Sequence, residues 1–206
     1  ASFLVVLFYA IYLVVRNGVI SYQKASGLAM FSGIVIFCFY SFIRLKEMLP
    51  VEEYGYDAIF FILLILCFAW GGDTCAYFAG RAFGKHKLCP VVSPKKTVEG
   101  AVGGVLGTMV FGVLVTVIYS IAADRMEEFT RSNIGVSMYV IIALLACVAA
   151  VLGIYGDLFA SVVKRQCGIK DYGTIFPGHG GILDRFDSVM FIAPFVTMVV
   201  IAAFYN

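Results

Sequence analysis

Charge is what this sequence lacks most. Only 14% of its 206 residues are charged, whereas 62% are hydrophobic. Soluble globular domains average about 25% charged residues, so the composition is that of a membrane protein. No segment shows an amphipathic stripe of useful length, and a chain of this size cannot bury five uniformly apolar helices in a soluble core. The sequence therefore argues against a soluble helical bundle.

Other absences exclude particular kinds of site, partner and targeting segment. The six cysteines form no C-x-x-C pair, and three of them, Cys38, Cys67 and Cys147, lie inside apolar runs. A free thiol in such a run is a small hydrophobic group, so we expect neither a disulfide nor a cysteine metal site. The net charge is only +2, and overall charge therefore indicates no nucleic-acid partner. The apolar run 1–15 has no basic n-region and no small-residue cleavage site, which does not fit a signal peptide.

Long apolar runs predict the fold. Five segments carry no charge over roughly the ~20 residues that cross a bilayer as a helix. They are Ala25–Ile43, Ala58–Gly72, Ala101–Ala123, Ser132–Gly156 and Ser188–Asn206. The second is long enough only if its helix continues past Asp73 towards Gly80. With the shorter run Ala1–Val15, we predict an all-α, polytopic transmembrane helical bundle of about six membrane helices.

The charge of the loops predicts their orientation. Loop 81–100 holds five Lys/Arg residues against Glu99, and loop 164–187 holds four Lys/Arg residues, whereas 124–131 is net acidic. The positive-inside rule places both basic loops in the cytoplasm and 124–131 outside, together with the C-terminus. The two basic loops thus share one face of the membrane.

A weak internal repeat supports this arrangement. Its copies are Gly72-Asp73-x-x-Ala76-x4-Arg81-x-x-Gly84 and Gly156-Asp157-x-x-Ala160-x4-Arg165-x-x-Gly168. Each copy follows an apolar run and leads through a loop into another. Two helix–loop–helix units of the same orientation would place Asp73 and Asp157 at matching depths.

Most of the ionic chemistry lies near the segment Ser161–Asp187. It gathers four Lys/Arg residues, three Asp residues, one His and a Gly-rich turn between two apolar runs, which indicates that the loop binds something ionic. Asp157, near the end of the preceding run, must pair, face water or bind a cation. Carboxylates that share a site with phosphates suit Mg²⁺. From the residues alone, salt bridges to Lys164, Arg165 and Arg185 are an equally good interpretation.

The other basic loop contains the segment S-P-K-K-T at residues 93–97. Two lysines, two hydroxyls and a glycine at the mouth of a helix suit phosphate, because helix N-terminal N–H groups attract anions. A basic juxtamembrane loop also serves as a topology determinant or contacts anionic lipid. Thr97 or Ser93 could instead be the N-cap of the next helix.

Together these motifs resemble the CTP:phosphatidate cytidylyltransferases, or CDP-diacylglycerol synthases. The family pattern runs S-x-x-K-R-x4-K-D, then P-G-H-G-G, then x-x-D-R-x-D. It is matched by Ser161, Lys164, Arg165, Lys170, Asp171, Pro177, Gly178, His179, Gly180, Gly181, Asp184, Arg185 and Asp187. The similarity spans roughly Trp70 to Asp187 and includes the W-G-G-D-T segment and the S-P-K-K-T block.

The resemblance implies an integral-membrane nucleotidyltransferase that moves CMP from CTP to phosphatidate, giving CDP-diacylglycerol and pyrophosphate. It implies N-terminal membrane helices over 1–57, with a further N-terminal part before them in the family. A catalytic membrane domain is then expected over 58–206, with cytoplasmic loops 81–100 and 164–187. The expected location is the bacterial plasma membrane with the site on its cytoplasmic face. The bilayer, CTP and phosphatidate are the expected partners, and a homodimer is a further hypothesis.

The family's functional residues carry over by position. The catalytic assignments are Asp157, Asp184, Lys164, Arg165 and Lys170. The expected substrate and phosphate contacts are Ser93, Lys95, Lys96, Thr97, His179, Gly180, Gly181 and Arg185. The expected Mg²⁺ ligands are Asp157, Asp184 and Asp187. Clustered carboxylates can hold a second cation, Mg²⁺ or K⁺, whereas Asp171 is expected only to be paired and His179 is as readily structural.

Two other functions stay open. One is a CTP-dependent enzyme that acts on another lipid phosphate or on a polyprenol. The other is an ion-coupled transporter, in which intramembrane carboxylates and paired repeats also occur. A transporter would explain two aspartates at matching depth, but not the P-G-H-G-G-x-x-D-R-x-D run or the basic loops.

Overall fold

Helices make up most of the chain. The computed structural model describes residues 2–15, 22–125, 135–175 and 180–205. Its helices are α1 (Ser2–Val15), α2 (Tyr22–Met48), α3 (Val51–Tyr54), α4 (Asp57–Phe83), α5 (Val98–Arg125), α6 (Val136–Gln166) and α7 (Val189–Tyr205). Of these, α2, α4, α5 and α6 are long and apolar enough to cross a membrane, and α7 is a shorter apolar helix. The predicted all-α polytopic membrane fold is therefore confirmed, and α4 does continue past Asp73.

Two small elements were not predicted. An antiparallel hairpin joins α4 to α5, formed by β1 (Lys87–Cys89) and β2 (Ser93–Thr97), with Lys87 opposite Thr97. A 3-10 turn over Leu183–Arg185 precedes α7. Most of loop 124–131, which is predicted to face out, lies outside the described residues.

The side chains of α5 are distributed as a lipid-facing helix requires. Over most of its length the buried residues repeat every four positions and are glycine or threonine: Gly100, Gly104, Thr108, Gly112 and Thr116, with the buried aromatic Tyr119 after them. Its exposed face carries large apolar side chains: Val102, Leu106, Val110, Leu114 and Ile118. A soluble protein would bury the second set and expose the first. The exposed apolar face therefore belongs against lipid.

The small face of α5 packs directly on α4. A Cβ atom on Gly103 would overlap Ala79, and one on Gly107 would overlap Cys75. Small residues at these positions let two helix backbones approach closely, so Gly103 and Gly107 serve the packing of α5 against α4. Elsewhere α6 packs against α5 and α7, and α2 packs against α7.

A buried polar contact ties α4 to α5 at the end away from the hairpin. Tyr119 Oη donates to Asp57 Oδ1 over 2.7 Å, and the Tyr119 ring stacks on Phe60 with centroids 4.4 Å apart. Asp57 is 1% exposed, so the hydrogen bond satisfies a carboxylate that burial would otherwise destabilise. The two helices are thus joined along their length and again at this end.

Candidate active site

An ion pair joins the two basic segments. The ammonium of Lys96, on β2, lies in close contact with Asp157 Oδ2 on α6, and each side chain is about a quarter exposed (25% and 24%). Ser161 Oγ, one turn further along α6, donates to Asp157 Oδ1 over 3.4 Å. The hairpin and the C-terminal part of α6 therefore meet at one end of the bundle.

A second ion pair lies deeper. Lys164 Nζ is 2.8 Å from Asp184 Oδ1 and 3.9 Å from Asp187 Oδ2, and the Lys164 side chain is only 10% exposed. Its ammonium also lies 5.2 Å from the centre of the Tyr172 ring. Lys164 is thus held by two carboxylates and an aromatic face, which supports a positioning role for this predicted catalytic residue.

Asp184 organises the loop around it. Its Oδ2 accepts the N–H groups of Tyr172 and Gly181 over 2.8 and 2.9 Å. Burial disfavours the charged carboxylate, but the ammonium of Lys164 and these N–H donors outweigh burial and lower the pKa of Asp184. Gly180 has φ of +82°, and a Cβ there would lie 2.8 Å from Asp184 Oδ2. Glycine is therefore required at this position by both conformation and space.

Asp73 and Ser188 also belong to the cluster, although neither was among the predicted site residues. Ser188 Oγ donates to Asp73 Oδ2 over 2.9 Å, and Asp73 lies within electrostatic reach of Asp157. The signal that could have placed Asp73 is the internal repeat, which predicted it at the depth of Asp157. The structure brings these two aspartates together.

Asp187 completes a cluster of acidic groups. Burial raises the pKa of Asp187 to about 7, repulsion from Asp157 and Asp73 adds to the effect, and Lys164 offsets part of it. The N–H of Ser188 also donates to Asp187 Oδ1 over 2.9 Å. Negative charge is therefore in excess around this carboxyl group.

The formal charges give the same result. The carboxylates are Asp73, Asp157, Asp184 and Asp187, and the cationic groups in contact or electrostatic reach are Lys96, Lys164 and Arg185. With all four carboxylates ionised, four negative groups against three positive ones leave a formal charge of −1, and protonation of Asp187 brings the charge to zero. An added cation would reverse that excess.

These carboxylates fit a cation whose coordination is completed by oxygens of water and substrate phosphate. The described residues contain no group of three or more His, Cys, Asp or Glu side chains that could by themselves hold a metal ion. Mg²⁺ usually binds one or two carboxylates and takes its other oxygens from water and phosphate, so a complete protein cage is not required. Asp157 is the more accessible ligand, whereas a cation at Asp184 would have to replace the Lys164 ammonium. The metal assignments of Asp157, Asp184 and Asp187 stay predictions.

Thr97 has the capping role that the sequence left open. Its Oγ1 accepts the N–H of Gly100 over 3.1 Å at the start of α5, and the residue is 9% exposed. A Cβ on Gly80 or Gly100 would lie 2.9 Å from that hydroxyl oxygen. The backbone beside Lys96 is therefore anchored to both α4 and α5, and phosphate contact by Thr97 stays a prediction.

The other predicted substrate contacts lie around this cluster. Four of them are exposed: Lys95, Arg165, Lys170 and Arg185. Ser93 is half-buried, and Gly181 is buried against the backbone of Gly173. Trp70 Nε1 donates to the carbonyl oxygen of Arg185 over 3.0 Å and so ties the 3-10 turn to α4. His179, with Pro177 and Gly178, lies outside the described residues.

A small cavity lies below Asp73 and Ser188. Its volume is about 20 Å³, and Gly72, Gly104 and Thr108 are among its lining residues. A cavity of that size holds about one water molecule. This cavity by itself is therefore too small to enclose a nucleotide or a lipid headgroup.

The chain is similar to known proteins over almost its whole length. The family model described as "Cytidylyltransferase family" matches residues 1–203. A phosphatidate cytidylyltransferase of Bacillus subtilis (strain 168) is 33% identical over 191 residues, which is 93% of this chain and 64% of the relative. That of Staphylococcus saprophyticus is 41% identical over 145 residues, covering 70% of this chain and 50% of the relative. The chain thus spans between half and 64% of the length of these relatives. On this match and on the charged cluster at one end of a membrane bundle, the chain belongs to the cytidylyltransferase family.

Proposed function

We propose that this protein transfers CMP from CTP to phosphatidate, giving CDP-diacylglycerol and pyrophosphate. The observation that carries the proposal is the cluster in which Lys96 from the hairpin meets Asp157, beside the buried group of Lys164, Asp184 and Asp187. Relatives that carry the name phosphatidate cytidylyltransferase support the choice of substrates. We further propose that the cluster faces the cytoplasm of a bacterial plasma membrane, because the loops that form it are the basic ones.

The reaction needs positioning and charge neutralisation more than a base. A phosphatidate oxygen would attack the α-phosphorus of CTP in line, forming a new P–O bond while the bond to the β-phosphate breaks. Pyrophosphate leaves with the electron pair. A phosphate monoester has its second pKa near 6, so its attacking oxygen is largely ionised at neutral pH. The barrier then comes mainly from the approach of two polyanions.

Each group of residues has a role in this reaction that follows from its position. Four exposed cationic side chains are placed to attract phosphate groups at the mouth of the site: Lys95, Arg165, Lys170 and Arg185. Lys164 holds Asp184 and Asp187 in fixed positions. Mg²⁺ held by Asp157 with Asp184 or Asp187 would supply the remaining positive charge against the phosphates.

We expect Mg²⁺-dependent transfer in the purified, reconstituted protein. Lipid-extractable label from α-³²P-CTP should appear with phosphatidate in liposomes, with release of one pyrophosphate per turnover. EDTA should abolish turnover and excess Mg²⁺ should restore it, because the cluster carries excess negative charge. Polyprenyl phosphate and other lipid phosphates serve as competing acceptors. Protein that binds both substrates without releasing pyrophosphate would disprove the proposed reaction, and full activity in EDTA would disprove the metal.

We expect Lys95→Gln to weaken CTP binding without changing orientation. Lys95 is exposed beside Lys96, and its charge can reach a phosphate outside the ion pair. KM for CTP should rise about threefold to tenfold, the effect of about 0.7–1.4 kcal/mol, with kcat nearly unchanged. Lys87→Gln removes the same charge from the other strand and is the control. Equal KM values in both variants, or inverted cysteine accessibility, would indicate that the loop acts on topology instead.

A further inference from the structure

Lys96 is bound by a carboxylate that the proposed reaction also needs for a cation. Its ammonium contacts Asp157 Oδ2, and both side chains are about a quarter exposed. An ammonium and a metal ion cannot share one carboxylate oxygen at contact distance without repulsion. The two cations must therefore compete at Asp157.

The hairpin is built so that the Lys96 side chain can move while its backbone stays fixed. The next residue, Thr97, is buried, caps α5 and lies against Gly80 and Gly100. Lys96 itself extends from β2 on a flexible four-carbon stem. Rotation of that stem can turn the ammonium away from Asp157 without a rearrangement of the strand.

The formal charges favour an exchange over the addition of a second positive group. With Lys96 in place and all four carboxylates ionised, the cluster has a formal charge of −1. A divalent cation in place of the ammonium then brings it to zero, whereas both together bring it to +1. Exchange adds one positive charge and addition adds two, whatever the protonation state of Asp187. The ammonium released in this way is next to the open side of the site, where a phosphate would lie.

We propose that Lys96 occupies the cation position at Asp157 while the site is empty and moves to a substrate phosphate oxygen when the divalent cation binds. Lys96 thus alternates between two anionic partners, one in the protein and one in the substrate. This rests on the proposed function, since it takes Asp157 as a ligand of the catalytic cation. It adds that, before the cation binds, the carboxylate of Asp157 is paired with a lysine that later contacts the substrate.

Cation binding to the full chain without CTP or lipid tests the exchange. Mn²⁺ serves as the probe, and its free concentration is followed by electron paramagnetic resonance in detergent. Lys96→Gln should bind Mn²⁺ about fivefold to tenfold more tightly than the wild type, because a competing surface-type ion pair is removed. Lys87→Gln, which removes an equal charge from the same hairpin, should leave the affinity unchanged. Lys96→Arg keeps the competing charge and should bind no more tightly than the wild type.

The outcomes separate this inference from the proposed function. Unchanged or weaker Mn²⁺ binding in Lys96→Gln overturns the exchange, because Lys96 would then not compete for Asp157. Absence of Mn²⁺ binding in every variant overturns it as well, because no cation would then displace Lys96 from Asp157 before the substrate arrives. CMP transfer to phosphatidate is measured separately on the same wild-type preparation, and its presence or absence decides the proposed reaction whichever way the Mn²⁺ result falls.

Discussion

Asp184→Asn should reduce turnover by about 100-fold or more, the range seen when one preorganised charge-stabilising group is removed. An asparagine has one carbonyl oxygen where Asp184 uses two. Oδ1 accepts from the Lys164 ammonium, and Oδ2 accepts two backbone N–H groups. Either orientation of the amide would direct its NH₂ at existing donors. The variant therefore loses both the charge of the site and the geometry of the loop.

This substitution should also loosen the loop, which separates it from a purely electrostatic change. Breaking a buried ion pair costs about 3–5 kcal/mol when the remaining charge stays buried, and Lys164 is only 10% exposed. We expect limited proteolysis near residues 170–183 to accelerate while the membrane helices stay folded. Asp171→Asn is the matched control, because Asp171 is exposed in the same loop and should lose little activity. Near-normal kcat in both variants at saturating Mg²⁺ would contradict the assigned role of Asp184.

Asp157→Asn should give a comparable loss of turnover, about 100-fold to 1000-fold, with little loss of stability. Asp157 is 24% exposed and its partner Lys96 is 25% exposed, so the released ammonium can turn into water. The cost of an unpaired charge is therefore small, whereas the carboxylate proposed to hold the cation is gone. The measurement is kcat together with the thermal unfolding temperature of the same preparation.

A control for this variant lies at the other end of the bundle. Asp124→Asn removes an exposed carboxylate from the last turn of α5, away from the charged cluster, and should keep wild-type kcat and stability. A kcat of Asp157→Asn within about twofold of the wild type would rule out this carboxylate as a ligand of the catalytic cation. A large fall in its unfolding temperature would instead indicate that Asp157 is mainly structural.

The membrane fold was predictable because its signal is compositional. Charge-free runs fix the approximate positions of the helices, and the continuation of α4 past Asp73 was stated as the condition for the second run. The five runs correspond to four long helices and the shorter α7 among the described residues. The hairpin was missed because β1 has three residues and β2 has five, rich in lysine, and neither shows an alternating apolar pattern. Strands this short are stabilised by their contacts with α4 and α5, which a local pattern does not reveal.

The sequence singled out most residues of the charged cluster, but not how they pair. The resemblance selected Asp157, Asp184 and Asp187, and the residues alone left metal binding and salt bridges open. Lys164 pairs with Asp184 across 20 positions of the chain, through a loop whose conformation depends on Gly180 and Gly181. Asp73 was noticed through the repeat, yet its contact with Ser188 spans 115 positions. Partner choice over such separations is set by tertiary structure.

The two faces of α5 should tolerate sequence drift very differently. Along its outer face, exchanges among Val, Leu and Ile alter mainly which hydrocarbon touches the lipid, since those residues are 49–66% exposed. Along its inner face, a single added methyl group at Gly103 or Gly107 would separate α4 from α5 and carry the hairpin with it. Divergent relatives could therefore vary widely in the residues that the bilayer sees while the spacing between the hairpin and α6 stays constant. The helix surface in contact with lipid is the part of this protein most open to neutral change.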